Sequence, residues 1–413
     1  MFCKAPAKRY PGPPNRSTQS ARQLEIMLTL VRKGISLTVG AAQDYSDRVQ
    51  RGRLYRASGT EDLKRHLDEA AQWLGRAQDA GTNRGISYGA DFGGPFLESY
   101  PETTGYIIPT LIELAHHYRD PSWLSRAIAA GEWESAIQMR EGAVMGGMYT
   151  PDPTPAVFNT GMVLLGWSAL SRVAERETWR QSADHACDWL LHMQDSDGCW
   201  RRGNSRYANA TTTTYNVKAA WGLCEAGLLL GREDAIRGAT RNAEYCLTQQ
   251  ANNGWFANNC LYDSARPLLH TIAYVMQGLI GIGTRTGRTD FIDAAARTAR
   301  ALIAVMDGSG FIPGCLDREF RPAAKWACLT GSAQTGIVCG QLYRITGDAQ
   351  YRTALQRLNR YLMRHHDIDN PNDTLRGGVP GSWPVWGEYG RMKVLNWATS
   401  FFVDSLLIEQ QIA

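Results

Sequence analysis

An all-α ring, the (α/α)6 toroid of six inner and six outer helices, is the architecture this sequence predicts, and three observations lead there. Mostly apolar helices begin near Thr104, Thr160, Tyr215, His270, Thr330 and Asn396, at intervals of 56, 55, 55, 60 and 66 residues. Self-similarity at such a period marks stacked supersecondary units. The links alternate: each apolar helix leads through a short turn, such as Arg119-Asp120-Pro121 or Thr346-Gly347-Asp348, to an amphipathic partner. Each amphipathic helix leads into a long loop rich in Gly, aromatic and charged residues. Finally, the count closes, because the last apolar helix, about Asn396 to Gln411, lacks a following partner and an unmatched amphipathic helix at about Thr60 to Ala80 precedes the first unit.

Short links require antiparallel neighbours. The long loops, at roughly 81–101, 141–155, 195–211, 251–267, 307–328 and 367–393, therefore gather at one end of the ring, and function is expected there. Inner helices touch neighbours on every side, which accounts for Gly161, Gly166 and Ala169 or Gly222, Ala226 and Gly227; outer helices keep a wet face, as at Arg180, Asp184 and Asp188. Ahead of the ring, Gln19 to Val39 reads as an added helix and the first 20 residues as an arm. The expected division is thus residues 1–59 as arm and added helix and 60–413 as one toroidal domain.

Composition narrows the class. A hydrophobic content of 44% over 413 residues suits a globular chain, and no apolar run approaches the roughly 18 residues of a membrane span. A net charge of +4 does not by itself imply nucleic-acid binding. Nine cysteines form no C-x-x-C pair, and the N-terminal stretch has no apolar core of a signal peptide, so reduced thiols and a cytoplasmic location are expected. No metal and no cofactor are expected.

Gln194 to Trp200, QDSDGCW, and Gln250 to Trp255, QANNGW, resemble the glutamine-to-tryptophan repeats of the squalene cyclase and prenyltransferase toroids. The Gln ends a helix, Asp and Gly make the turn, and the Trp packs back over the junction. The resemblance supports fold far more than function. The D-x-D-D cluster of terpene cyclases is absent, and the one D-x-C, Asp197-Gly198-Cys199, lies in the turn after an outer helix. An isoprenoid cyclase-like toroid is one further reading of the same helices.

The loops instead carry aromatic platforms and cations, including Tyr88, Trp326, Trp383, Trp386, Tyr389, Arg201, Arg202, Arg206, Arg266, Arg318, Arg321 and Lys393. Part of the aromatic set, notably Trp200 and Trp255, only closes the ring. A basic, aromatic cleft suits an acidic glycan, since Arg holds a uronate carboxylate bidentately. Three constellations follow. In the first loop, Tyr100 and Glu102 lie in Glu98-Ser99-Tyr100-Pro101-Glu102, which is distantly similar to the Glu-Tyr-Pro stretch of glucuronyl C5-epimerases; Glu102 equally suits a helix-capping role. In the fourth, Tyr262, Arg266 and His270 stand near Asn216, residue types that resemble those of toroidal polysaccharide lyases, where an Asn or Arg neutralises the carboxylate and a His or Tyr removes the C5 proton. In the last, Trp383, Trp386, Glu388, Tyr389 and Lys393 form a Gly- and Pro-rich lid, platform or plug.

The expected catalytic residues are thus His270, Tyr262, Tyr100, Glu102 and Glu388, and the expected substrate-binding residues Asn216, Arg206, Arg266, Arg318, Trp383, Trp386, Tyr389 and Lys393. The expected activity is lyase- or C5-epimerase-type proton abstraction on a uronate-containing saccharide. A glycoside hydrolase with two carboxylates and a noncatalytic glycan-binding toroid also fit this pattern of loops.

Overall fold

The computed structural model describes residue 34 and residues 36–50, 60–204, 214–261 and 263–412. The N-terminal arm, Cys3, Arg206, Tyr207 and Tyr262 lie outside the described residues. Helix α1 covers residues 36–50. It is followed by alternating outer and inner helices: α2 (Thr60–Asp79), α3 (Pro101–Tyr118), α4 (Pro121–Ala136), α5 (Val157–Val173), α6 (Glu177–Met193), α7 (Val217–Leu230), α8 (Glu233–Thr248), α9 (Leu269–Thr286), α10 (Thr289–Val305), α11 (Leu329–Thr346), α12 (Ala349–Met363) and α13 (Asn396–Gln411). The odd-numbered helices from α3 onward pack side by side in chain order, and α13 returns against both α3 and α2. The predicted ring is therefore the observed one.

Inner helices approach so closely because glycines face the neighbouring backbone. A Cβ at Gly222 would lie 1.9 Å from the Gly161 carbonyl oxygen, far inside van der Waals contact, and one at Gly161 would strike Ala219. These residues place α5 against α7 without room for a methyl group. Two outer helices, α4 and α12, start on a capping Asp: the Asp120 carboxylate accepts from the Ser122 amide at 2.9 Å, and Asp348 from Gln350 at 3.0 Å.

The glutamine turns are hoops as well as junctions. The Gln194 amide donates to Gly198 O at 3.0 Å within its own turn and to Gly238 O on the next outer helix at 2.9 Å. Gln138 repeats this toward Ser182 O at 2.8 Å, Gln250 toward Ala294 O at 2.8 Å, and Gln78 toward Arg126 O at 3.0 Å. Gly198 takes φ +87° against the Arg241 carbonyl, which leaves no space for a side chain. Trp200, fully buried, donates its indole N–H back to Leu190 O at 2.9 Å. Within the same turn Asp197 accepts from the Cys199 amide and from Arg201, so the D-x-C there is a turn device.

The first and last long loops seal the ring. Strand β1 (Gly89–Asp91) pairs antiparallel with β4 (Lys393–Leu395), and β2 (Ala327–Cys328) with β3 (Ser382–Trp383). Asn396 ties the seam by donating to Ser87 O at 2.8 Å and Thr103 Oγ1 at 2.7 Å. Helix α1 adds to it: Ala42, Tyr45 and Val49, buried on one face, seat it on the ring, and the Tyr45 hydroxyl donates to His365 O at 3.1 Å. The eight described cysteines are buried. No described helix is long and apolar enough to cross a membrane.

Candidate active site

All six inner helices begin at the long-loop end, so their positive N-terminal ends converge on one mouth. There lies a cavity of about 340 Å³, floored by first turns of inner helices and walled by loops. Its walls are aromatic. Tyr88 stacks on Tyr100 with centroids 5.5 Å apart and meets Trp397 edge-on at 4.7 Å; the Trp397 indole donates to the Tyr389 hydroxyl at 2.9 Å.

Two groups from opposite helices of the ring face this space. Glu102, in the first turn of α3, accepts from the Tyr100 hydroxyl at 2.9 Å. Burial raises its carboxyl to about 7, against the opposing effect of that hydrogen bond. His270, in the first turn of α9, pairs Nδ1 with Gln334 Oε1 at 2.6 Å. Gln334 in turn donates to Gln277 Oε1 at 3.1 Å, which also accepts from Lys218 Nζ at 3.2 Å. An ammonium has no acceptor, so Lys218 fixes the orientation of Gln277, which fixes that of Gln334. His270 must then carry its proton on Nδ1, leaving the Nε2 lone pair. Burial pulls the imidazole down to about 4 against the raising effect of the Gln334 hydrogen bond, with the positive Lys218 adding a smaller push downward, so it is neutral at physiological pH.

The phenols are donors here. Burial pushes Tyr100, Tyr274 and Tyr389 well above the ordinary tyrosine value, so none is an available phenolate base.

The structure brings Tyr100, Glu102, His270, Tyr389 and Lys393 together around this cavity. It places the other expected residues elsewhere. Arg266 and Glu388 join Asp263 in an exposed ion-pair group, Arg266 to Glu388 at 3.5 Å, beside a separate 80 Å³ pocket. Trp383 packs on His365, centroids 4.7 Å apart. Trp386 is exposed. Asn216 is buried and donates to Asn204 at 3.1 Å. Arg318 offers its backbone carbonyl to Asn253 at 2.9 Å. None of these six lines the cavity.

Of the cations expected to make the cleft basic, several are met by carboxylates of their own loops. Arg201 pairs with Asp195 and Asp197, Arg202 lies 4.0 Å from Asp195, and Arg321 pairs with Asp317 and Glu319. Each of these three cations is met by a carboxylate a few residues away, which sequence position alone did not reveal. Within the described lining Lys393 is the one cation, and it is bound to Asp91. Glu102 is the one carboxyl. Sequence reasoning missed Phe158, Asn159, Tyr274 and Trp397, which also line the cavity. They sit inside apolar helical runs, where only their position within a turn or two of the N-terminus distinguishes them from core. No described group of three or more His, Cys, Asp or Glu residues is arranged to hold a metal ion.

No protein-family model and no curated protein matches the sequence. Solved structures do match in shape. An unsaturated glucuronyl hydrolase specific for heparin superposes with a TM-score of 0.67 at 15% identity, over 86% of this chain and 98% of its own. A cellobiose 2-epimerase from Bacillus thermoamylovorans gives 0.65 at 10% identity, over 84% and 98%. A D-mannose isomerase gives 0.65 at 12% identity, over 86% and 100%. What this chain shares with these carbohydrate-active enzymes is the (α/α)6 toroid.

Proposed function

We propose that the protein is a carbohydrate-active enzyme that moves a proton at carbon on a uronate-containing saccharide, as a C5-epimerase or lyase does. The observation that carries this reading is the pair on opposite inner helices: a neutral imidazole with a free lone pair, and a carboxyl raised to about 7. Epimerisation needs a base on one face of the sugar carbon and an acid on the other. His270 Nε2 suits the first role and Glu102 the second, and a group with a pKa near the working pH serves well in either direction. Removal of the C5 proton places charge on the carboxylate of the sugar. Lys393 and the protonated hydroxyl of Tyr389 are the donors present to stabilise it. The aromatic rings of Tyr88 and Trp397 supply faces for the sugar ring. Two-carboxylate hydrolysis has less support, since the described lining offers one carboxyl.

A second reading rests on the scarcity of cations. With Lys393 already bound to Asp91, the same acid–base pair would serve a neutral aldose, exchanging the proton beside its carbonyl. The cellobiose epimerase and mannose isomerase among the structural neighbours favour keeping it.

The test incubates the pure protein in deuterium oxide with uronate-containing oligosaccharides, unsaturated glucuronides, cellobiose and mannose. Deuterium at C5 without new ultraviolet absorbance supports the epimerase. New absorbance of a 4,5-unsaturated uronate supports the lyase. Deuterium at C2 of a neutral sugar supports the second reading. New reducing ends without deuterium, or silence throughout, overturns both.

A further inference from the structure

The short-loop end of the ring holds a second and larger cavity of about 610 Å³. Tyr106, stacked on Phe401 with centroids 5.2 Å apart, and Tyr274, edge-on to Phe401 at 6.3 Å, stand between the two spaces. Every inner helix contributes a charged side chain to its wall: Glu113 from α3, Arg172 from α5, Glu225 from α7, Arg285 from α9, Arg344 from α11 and Asp404 from α13. Glu225 is already neutralised, bound by Arg172 at 2.5 Å and Arg285 at 2.7 Å.

Lys218 is different. It lines this cavity at 3% exposure, its ammonium sits over the Trp221 ring at 4.3 Å, and its hydrogen-bond partner is the uncharged Gln277. No described carboxylate lies within 4 Å of it; Asp404 acts on it only at longer range. A buried cation without a counter-ion is costly. Yet Lys218 points into a space large enough for a small ligand to bring one, beside an indole face and the half-exposed guanidinium groups of Arg172 and Arg285.

We infer that the short-loop cavity is a binding site for a small organic carboxylate of sugar-acid size, whose carboxylate pairs with Lys218 while its body packs on Trp221. The ligand supplies the missing anion, and Gln277 keeps the ammonium aimed at it. The site is distinct from the cavity holding Glu102 and His270 and does not depend on what reaction occurs there. Burial draws the free Lys218 amine down to about 7 and raises the Asp404 carboxyl to about 7. Carboxylate binding requires the ammonium and is opposed by an ionised Asp404, so affinity falls as pH rises above 7. Glu113 adds repulsion, and the guanidinium groups of Arg172, Arg285 and Arg344 on the same wall add attraction.

The experiment is calorimetric titration of the intact protein with sodium D-glucuronate and sodium D-gluconate, with D-glucose as the neutral control and inorganic phosphate as the compact anion. Saturable binding of a sugar acid but not glucose, weakened at least tenfold in Lys218→Met and retained in Glu102→Gln, is expected, with proton uptake on binding above pH 7. Lys218→Met keeps the length of the side chain, and its melting curve checks that it folds. Should Lys218→Met be misfolded, Trp221→Leu provides the same comparison. Absence of sugar-acid binding, binding that survives Lys218→Met, equal binding of glucose, or preferential binding of phosphate would each overturn the inference.

Discussion

The two mouths of the ring share the same six helices and differ in what lines them. At the short-loop end the cavity is built wholly from inner-helix side chains, and its residues recur at helical spacing: Leu165, Ala169 and Arg172, or Lys218, Trp221 and Glu225. At the long-loop end, loop residues such as Tyr88, Leu97, Met148 and Tyr389 complete the wall around the helix starts. The first mouth is charged, with Glu225 held between Arg172 and Arg285 and Lys218 left with the uncharged Gln277 as its partner. The second is aromatic, and its few polar groups are tied to neutral partners, Glu102 to Tyr100 and His270 to Gln334, apart from Lys393 on Asp91. Long loops free a mouth from helical periodicity, so residues can be placed there for chemistry that three- and four-residue spacing does not allow.

The largest effect is expected where both mouths share a support. Gly222→Ala forces a methyl group into the Gly161 carbonyl and should cost about 3 kcal/mol in urea unfolding, disturbing both cavities together. An unchanged midpoint would mean that the helices are free to separate. Next, Glu102→Gln should lower turnover at the long-loop mouth by about a hundredfold, the lower end of general acid–base contributions. It should also remove a pH dependence of stability. The folded-state pKa of Glu102 is about 7 against 4.5, so the native state holds the extra proton in that window and stability falls as pH rises from 4.5 through 7. The variant's slope over that window should be shallower.

At the other mouth the sign reverses. The Lys218 amine falls from 10.5 to about 7 in the fold, so the native state holds fewer protons between those values and stability rises with pH through them. Lys218→Met should therefore stabilise the protein by about 2 kcal/mol at pH 7, discounted for cavity water, with the gain fading toward pH 10.5. A loss of stability would mean that the ammonium is well compensated. Smaller still, Gln194→Ala removes a hoop between outer helices and should cost about 1 kcal/mol while leaving both cavities intact. Trp386→Ala, on the exposed rim, should change stability and activity by less than about 0.5 kcal/mol.

The helix starts were legible because their signals are local. Asn396 begins α13 as expected, and the starts expected near His270 and Thr330 fall at Leu269 and Leu329. The glutamine turn was legible as a junction. Its second hydrogen bond, to a helix more than forty residues on, was not, because nothing in QDSDGCW points to the Gly238 carbonyl. The candidate site was legible in part for the same reason. Tyr100, Glu102 and His270 stood out at helix starts, and Tyr389 and Lys393 in the final loop. Arg266 and Glu388 looked like site residues because loops concentrate polar groups, and only folding showed them paired on the surface.

The number of helices, their inner or outer character and the end at which the long loops gather are all written in the chain. Each of these follows from patterns a few residues long, repeated at a near-constant period. It took the closed ring to bring Glu102 and His270 to one cavity, to let Gln334 and Gln277 choose the imidazole tautomer, and to leave Lys218 at a second mouth without a described carboxylate partner. Those relations join inner helices that are distant in the chain. Burial and partnership there depend on how the ring closes, and no local spacing encodes closure.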